Sequence, residues 1–211
     1  MTDLAAVADT LTRELAARYG AKVLAPSDTV PRIARALLSA LSTGLPGAGP
    51  VVDALLARAD HTSVTIPLLA GGCLIVLAPQ HVADPLTRCE VVCHEMQHAA
   101  VIARDADLDV IVDYLGSGEL RGLREAEAYA VGLWTRYLLT GEAPTLDGVR
   151  ASLASDAYHL DAGDQDTAMS TMESHLDTIR AGAVPPLGVC RAVLDILREH
   201  HAEVIVPEAH R

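Results

Sequence analysis

The sequence predicts a mainly helical α+β fold with a small β-hairpin beside one central helix. Half of the 211 residues are hydrophobic, but only 3% are aromatic and phenylalanine is absent, so Ala, Leu, Val and Ile must build the core. Apolar residues recur at helical spacing along most of the chain, and only two short segments have the β-branched or unbroken apolar runs of strands. Small aliphatic side chains on such helices favour close packing in one medium-sized fold.

The N-terminal part of the chain predicts three helices. Residues 3–19 place Leu, Val and Ala at helical spacing, and Gly20 ends this helix. A second helix is predicted over residues 27–42, because a proline follows polar residues near its start. Residues 44–50 contain three glycines and two prolines and predict a loop, and a short helix over 51–59 follows.

Two strands are predicted next, over residues 62–69 and 73–77, joined by the turn Ala70-Gly71-Gly72. Residues 78–81 then predict a loop. An exposed edge of this hairpin can pair with an extended peptide substrate. The alternative is that the hairpin only covers the neighbouring helix, and the sequence favours neither interpretation.

The central helix is predicted to begin at Asp84-Pro85, as N-cap and first helical position, and to end near Arg104. An acidic segment from Asp105 to Asp113 follows, which either supplies a carboxylate partner for a histidine ligand or forms a solvated face. Further helices are predicted over residues 119–139, 146–157, 165–180 and 187–201, and the tail at 203–207 is either a short strand or a flexible end.

We predict an N-terminal helical hairpin (residues 1–45), a catalytic core (50–140) and a C-terminal helical part packed on the core (141–211). The net charge of −12 repels nucleic acid and anionic membranes, so neither is an expected partner. The acidic N-terminus lacks the basic start of a signal peptide, and the longest apolar run, residues 66–79, is too short to span a bilayer. These features favour a soluble cytoplasmic protein.

The chemistry of the chain centres on His94, Glu95 and His98. On a helix, residues four apart lie one turn above each other, so the two imidazoles can bind one metal ion. Glu95 lies about 100° around the helix from His94, where its carboxylate reaches a metal-bound water. Two nitrogen ligands, a general base and an open position are what a zinc hydrolase requires. The alternative is an amphipathic helix with two surface or core histidines.

The same helix carries Cys89 and Cys93, also four residues apart but about 100° or more away from the histidines. We predict that these two, with Cys73 and Cys190, are buried free thiols, because Cys behaves as a small hydrophobic residue in a reducing compartment. The alternative is a second metal-binding face.

A zinc site with one open position needs a third protein ligand. Residues 121–130 offer Glu125 and Glu127 on a helix whose alanines allow a neighbouring helix to approach closely. The two glutamates lie about 200° apart around the helix, so only one of them can face the metal. Alternatively, both lie on a solvated flank beside Arg121 and Arg124.

The motif His94-Glu95-Met96-Gln97-His98, followed by the downstream segment at residues 125–130, resembles the gluzincin zinc metallopeptidases, including the soluble ImmA/IrrE-type peptidases. In those families the first glutamate of an E-x-[EQ]-A-[DN] signature on a later helix binds zinc. The resemblance covers about residues 73–139 and implies Glu125 as the third ligand, with Glu127 as the second choice. Tyr129 stands where that signature has Asp or Asn.

The resemblance implies a helical zincin-like domain, a Zn²⁺ ion bound by His94, His98 and Glu125, and endopeptidase activity on peptide or protein substrates. Glu95 takes a proton from the zinc-bound water as it attacks the peptide carbonyl, and passes the proton to the leaving amine. Such sites add a Tyr or His donor near the oxyanion, and Tyr129, one turn after Glu125, is our first candidate. The other candidates are Tyr114, Tyr158, His159 and His175.

Two other functions are compatible with the sequence. In one, zinc only joins the helices or supports a partner-binding surface, without proteolysis. In the other, the chain is a helical interaction protein with no metal, as its alanine-rich helices allow. The histidines near the C-terminus, His200, His201 and His210, are predicted to lie on the surface.

Overall fold

The computed structural model of the chain describes residues 3–24, 36, 39, 63–68, 71–105, 108–156 and 158–206. Helices predominate among them, and three short strands form a small mixed sheet, so the predicted mainly helical α+β fold is confirmed. The elements predicted between residues 27 and 59 lie outside the described residues, apart from two single positions.

The elements follow one another in the order helix α1 (Leu4–Tyr19), strand β1 (Ala21–Leu24), strand β2 (Val64–Pro67), strand β3 (Cys73–Val76), helix α2 (Pro79–Ala83), helix α3 (Pro85–Asp105), helix α4 (Leu108–Gly116), helix α5 (Gly118–Thr140), helix α6 (Asp147–Leu153), helix α7 (Ala162–Arg180), helix α8 (Gly188–His200) and a 3-10 helix (Ala202–Val204).

Helices α1 and α3 have the ends that their sequences predict. Asp3 accepts hydrogen bonds from two backbone N–H groups of the first turn of α1, and Gly20 ends the helix in the left-handed conformation at φ +65°. At the start of α3, Oδ2 of Asp84 accepts from the N–H and the hydroxyl of Thr87 at 2.8 Å each. The central helix therefore begins where a capping carboxylate precedes a proline.

The three strands place β3 in the centre, parallel to β1 and antiparallel to β2. The β2–β3 hairpin is predicted, whereas β1 is not among the predicted elements. Strand β1 has only four residues, which is too few for a clear period-2 pattern, and its partner is distant in sequence. Among the described strands β2 lies at the edge of the sheet and packs beside α3.

Two predictions, for the segment before α3 and for the tail, are wrong. The predicted loop at residues 78–81 contains the start of α2, where Pro79 occupies the first turn. The acidic segment after Asp105, for which no helix or strand is predicted, folds mostly as helix α4. The tail is neither a strand nor a flexible end up to Val206, whose N–H donates to the carbonyl of Leu138 at 3.0 Å. Hydrophobic burial of Val204 beside it explains this docking.

Helix α5 lies between two hydrophobic clusters. The main cluster joins α5 to α1, β3, α3 and α8, and the second joins it to α6 and α7. Helix α5 also approaches α3 closely at Gly132, where an added Cβ would lie 3.3 Å from the backbone carbonyl oxygen of Glu90. This approach lets residues earlier on α5 face residues later on α3.

The main cluster takes residues from each of the three predicted parts of the chain, for example Leu11, Cys93 and Val193. The division of the chain at residues 45 and 141 stays a prediction. His201, predicted to be a surface residue, is instead largely buried, and its Nε2 lies 3.0 Å from Oγ1 of Thr10. This contact joins the end of α8 to α1. In the described part of the chain, no helix combines the length and apolar character needed to cross a membrane.

Candidate metal centre

Helices α3 and α5 bring His94, His98 and Glu125 together. Nε2 of His94 lies 3.5 Å from Oε2 of Glu125, and Nε2 of His98 lies 3.4 Å from Oε1 of the same carboxylate. One ligand atom from each residue lies within 4.8 Å of the other two. Each carboxylate oxygen therefore faces one imidazole, across a gap between the two helices.

This donor set fits a zinc ion. Ligand atoms that share one tetrahedral zinc at about 2.0–2.2 Å lie about 3.3–3.6 Å from one another. The two nitrogen–oxygen distances are of that size, each to a different oxygen of Glu125. Imidazole nitrogen and carboxylate oxygen are both common zinc ligands. Glu125 is only 3% exposed, and a buried carboxylate needs cationic or hydrogen-bonding partners.

The second choice for the third ligand, Glu127, does not face the histidines. Its carboxylate accepts a hydrogen bond from Nε2 of Gln97 at 3.4 Å and pairs with Arg124 at 3.2 Å. The predicted opposition of the two glutamates around the helix explains why only one of them reaches the cluster.

Charge coupling in the cluster is strong. Burial lowers the pKa of His98, but the charge of Glu125 and a hydrogen bond to it, together with the charges of Glu95 and Glu127, raise that pKa to about 9. Burial raises the pKa of Glu125, but His98 and His94 lower it further, so the carboxyl pKa lies well below its usual range. The carboxylate therefore selects for a positive charge at this place, whether a proton or a metal ion.

Glu95 points toward the sheet. Its side chain accepts a hydrogen bond at Oε2 from the hydroxyl of Thr65 at 2.8 Å, and the same hydroxyl lies 3.0 Å from the Glu95 carbonyl oxygen. Glu95 is 5% exposed. A threonine hydroxyl has one proton, so Thr65 shares that proton between the carbonyl oxygen and Oε2 of Glu95. These two contacts fix the side chain of Glu95 relative to β2.

Three residues with no predicted role, Ser63, Thr65 and His81, lie near Glu95 or interact with it electrostatically. The hydroxyl of Ser63 lies 2.8 Å from Nδ1 of His81 and accepts from the N–H of Ala78 at 3.0 Å. Burial lowers the pKa of His81, the charge of Glu95 raises it and that of His94 lowers it. Ser63 and Thr65 are two positions apart at the start of β2, so their side chains lie on the same face of the strand. This spacing is the sequence signal for their contacts.

Two tyrosines lie against the histidines. The ring of Tyr129 packs edge-on to His94 at a centroid distance of 4.7 Å, and its hydroxyl lies 3.1 Å from that of Tyr158. The hydroxyl of Tyr114 donates to Oε1 of Glu125 at 2.7 Å, and its ring lies 6.2 Å from that of His98. The role of Tyr129 as oxyanion donor stays a prediction.

Arg121 is not on a solvated flank, because it is only 4% exposed. Its guanidinium donates to backbone carbonyl groups of the α4–α5 junction and of the segment before α7. These carbonyl groups belong to Tyr114, Leu115, Ser117, Tyr158 and His159. Arg121 thus holds the segments that carry Tyr114 and Tyr158 near the cluster.

The remaining sequence-based candidates are two histidines and the acidic segment. The side chain of His159 is exposed, and that of His175 is partly buried on α7. In the acidic segment, Asp113 is exposed and Asp105 pairs with Arg104 at 2.6 Å. Tyr114, which directly follows this segment, contacts the cluster through Glu125. The side chains of Asp107 and Asp109 lie outside the described residues.

All four cysteines are buried and unpaired. Burial raises the pKa of Cys73 to about 11 and, despite a hydrogen bond from Thr135, that of Cys93 to about 12. Among the described residues, the cluster of His94, His98 and Glu125 is the one group of potential ligands close enough to hold a metal. The predicted free thiols are confirmed, and a second metal face is not formed in this part of the chain.

Comparison with protein-family models, with curated proteins and with solved structures gives no match to this chain. The function is therefore inferred from the geometry of the site.

Proposed function

We propose that this protein is a zinc-dependent metallopeptidase of gluzincin type that cleaves peptide bonds within a chain. The observation that carries the proposal is the position of Glu125, which faces Nε2 of both His94 and His98 at 3.4–3.5 Å from a different helix. The four-residue spacing on α3 explains why the two histidines lie close together. It does not explain why a buried carboxylate of another helix faces both of them. Three protein ligands leave a fourth position for water or substrate, as in catalytic zinc sites.

The chemistry assigns separate roles to these side chains. His94, His98 and Glu125 would hold the zinc ion, which when bound supplies a water of lowered pKa at neutral pH. Glu95 accepts a proton from the attacking water and returns it to the leaving amine. The hydrogen bond from Thr65 to Oε2 holds the carboxylate in place and leaves Oε1 to accept that proton.

The edge of strand β2 supports an extended peptide as substrate. The N–H of Leu68 donates to the carbonyl of Gly72 at 3.1 Å, so Leu68 is paired inward toward β3. Along an antiparallel strand, residues whose backbone groups bond the partner strand alternate with residues whose backbone groups point away from it. The backbone groups of Thr65 and Pro67 therefore point away from β3. A peptide that pairs with the N–H and carbonyl of Thr65 would lie beside the residue whose hydroxyl holds Glu95.

The proposal is tested with Glu95→Gln, a nearly isosteric change that removes the base. We expect the variant to bind one zinc per chain with unchanged affinity and to lose hydrolysis of unfolded casein and of a peptide library. The matched control is Glu127→Gln, because Glu127 lies near the cluster but faces Gln97 and Arg124. This control should retain both zinc and hydrolysis.

Two results would contradict the proposal. One is a wild-type protein that binds no zinc. The other is a zinc-loaded wild-type protein that cleaves none of these substrates and whose melting temperature falls when a chelator removes the metal. That second result identifies zinc as a structural element.

A further inference from the structure

The hydroxyl of Tyr114 makes a contact that the proposed reaction does not require. It donates to Oε1 of Glu125 at 2.7 Å, and this oxygen is the one that lies 3.4 Å from Nε2 of His98. Glu125 belongs to helix α5 and Tyr114 to helix α4, so the hydrogen bond joins two helices at a ligand. A carboxylate with one such donor cannot rotate about its terminal bond without losing it.

The backbone of Tyr114 is itself held in place. Its carbonyl accepts from a guanidinium nitrogen of Arg121 at 2.9 Å, and the next carbonyl, that of Leu115, accepts from the same nitrogen at 3.2 Å. Arg121 lies one turn before Glu125 on α5. The same helix therefore carries the ligand and the residue that anchors its hydrogen-bond donor.

The neighbouring tyrosines do not make this contact. The hydroxyl of Tyr129 is paired with that of Tyr158 at 3.1 Å, although the ring of Tyr129 packs on His94. Two tyrosine hydroxyls near the cluster thus bind each other, and one binds a candidate ligand. This difference separates a hydroxyl that is bonded to a candidate metal ligand from two hydroxyls that are bonded to each other.

We propose that Tyr114 is a positioning residue for Glu125: its hydroxyl fixes the carboxylate so that one oxygen faces each imidazole before a metal binds. The inference rests on the proposed zinc site. Partners of this kind around metal ligands change metal affinity by roughly 10–100-fold when they are removed. Since Tyr114 contacts one of three ligands, we expect about a tenfold loss.

The test is Tyr114→Phe, which removes the hydroxyl and keeps the ring beside His98. The dissociation constant for Zn²⁺ is measured by competition with a chromophoric chelator. The visible spectrum of the Co²⁺-substituted protein reports ligand geometry, and the melting temperature of the metal-free protein reports folding. The matched control is Tyr158→Phe, which removes a buried hydroxyl from the same wall without touching a ligand.

We expect Tyr114→Phe to weaken Zn²⁺ binding about tenfold and to change the Co²⁺ spectrum, while Tyr158→Phe changes neither. Equal Zn²⁺ affinities and Co²⁺ spectra for Tyr114→Phe and the wild type would overturn the inference, even if Tyr114→Phe lowers the melting temperature, because the role would then be structural. A wild-type protein that fails to bind Zn²⁺ overturns the metal site itself, and this outcome is distinct from the previous one.

Discussion

Helix α3 carries two pairs of potential metal ligands with the same four-residue spacing, and the two pairs have opposite surroundings. Cys89 and Cys93 are fully buried in the main hydrophobic cluster. The side chains of His94 and His98 are 14% and 16% exposed to solvent, and both face the carboxylate of Glu125. Ligand spacing on one helix therefore does not make a metal site. The residue that a neighbouring helix presents decides whether a site forms.

The largest expected difference between the two faces is in thiol reactivity. Because the pKa of Cys93 is raised from 9.0 to about 12, its thiolate fraction at pH 8 falls about a thousandfold, and burial blocks access as well. We expect none of the four cysteines of the folded protein to react with a thiol reagent at pH 8. All four should react in denaturant. Rapid labelling of the folded protein would show that the thiol face is open.

The histidine face should respond most strongly to ligand loss. His98→Ala or Glu125→Gln is expected to weaken Zn²⁺ binding at least about a hundredfold, since losing a ligand costs more than losing a partner of a ligand. Cys93→Ala changes the other face of the same helix and should leave the Zn²⁺ affinity unchanged. Competition with a chromophoric chelator measures all three. A similar loss in Cys93→Ala would mean that general packing, not the ligand set, controls binding.

A smaller effect is expected from the distance between the two helices. At Gly132 an added Cβ alone would lie 3.3 Å from the Glu90 carbonyl oxygen. The larger side chain of Gly132→Val therefore overpacks this contact, which costs about 1–3 kcal/mol. We expect lower stability to denaturant and weaker Zn²⁺ binding, because α5 carries Glu125. Gly148→Val is the matched control, since a Cβ at Gly148 meets nothing within 4 Å. Unchanged affinity in Gly132→Val would separate the helix contact from the site.

The smallest effect concerns pH. In the metal-free protein the pKa of His98 is raised from 6.5 to about 9, so its pairing with Glu125 stabilises the fold fully below pH 6.5 and is lost as the pH rises through 9. We expect the melting temperature in chelator to fall as the pH rises over this window. In His98→Ala this component of the fall should be absent. An equal fall in that variant would assign the pH dependence to other groups.

Metal binding must displace the same proton. Calorimetric titration of the metal-free protein with Zn²⁺ below pH 9 should therefore show proton release, seen as a heat that depends on the ionisation enthalpy of the buffer. A heat that is independent of the buffer would contradict the pairing of His98 with Glu125.

Local signals predict much of the fold and half of the site. The caps at Asp3 and Asp84 and the helical spacing of apolar residues specify α1 and α3, because each signal lies within one turn of the element that it starts. The relation between His94, Glu95 and His98 follows from helix geometry alone. For the same reason the opposition of Glu125 and Glu127 is predictable, but geometry on one helix does not say which of them faces another helix.

The rest depends on contacts between distant segments. Strand β1 is stabilised by pairing with β3 and not by its own pattern. The contacts of Thr65 with Glu95 and of Tyr114 with Glu125 join elements whose relative position is set by packing around α5. A buried arginine that binds only carbonyl groups in the described part of the chain, as Arg121 does, has the same sequence signal as a solvated one.

The zinc site is tested most simply by the metal content of the gently purified protein, measured by elemental analysis beside His94→Ala and Glu125→Gln. We expect about one zinc per chain in the wild type and little or none in either variant. A wild-type protein without transition metal, or zinc retained in full by Glu125→Gln, would contradict the claim that helices α3 and α5 together form a zinc site.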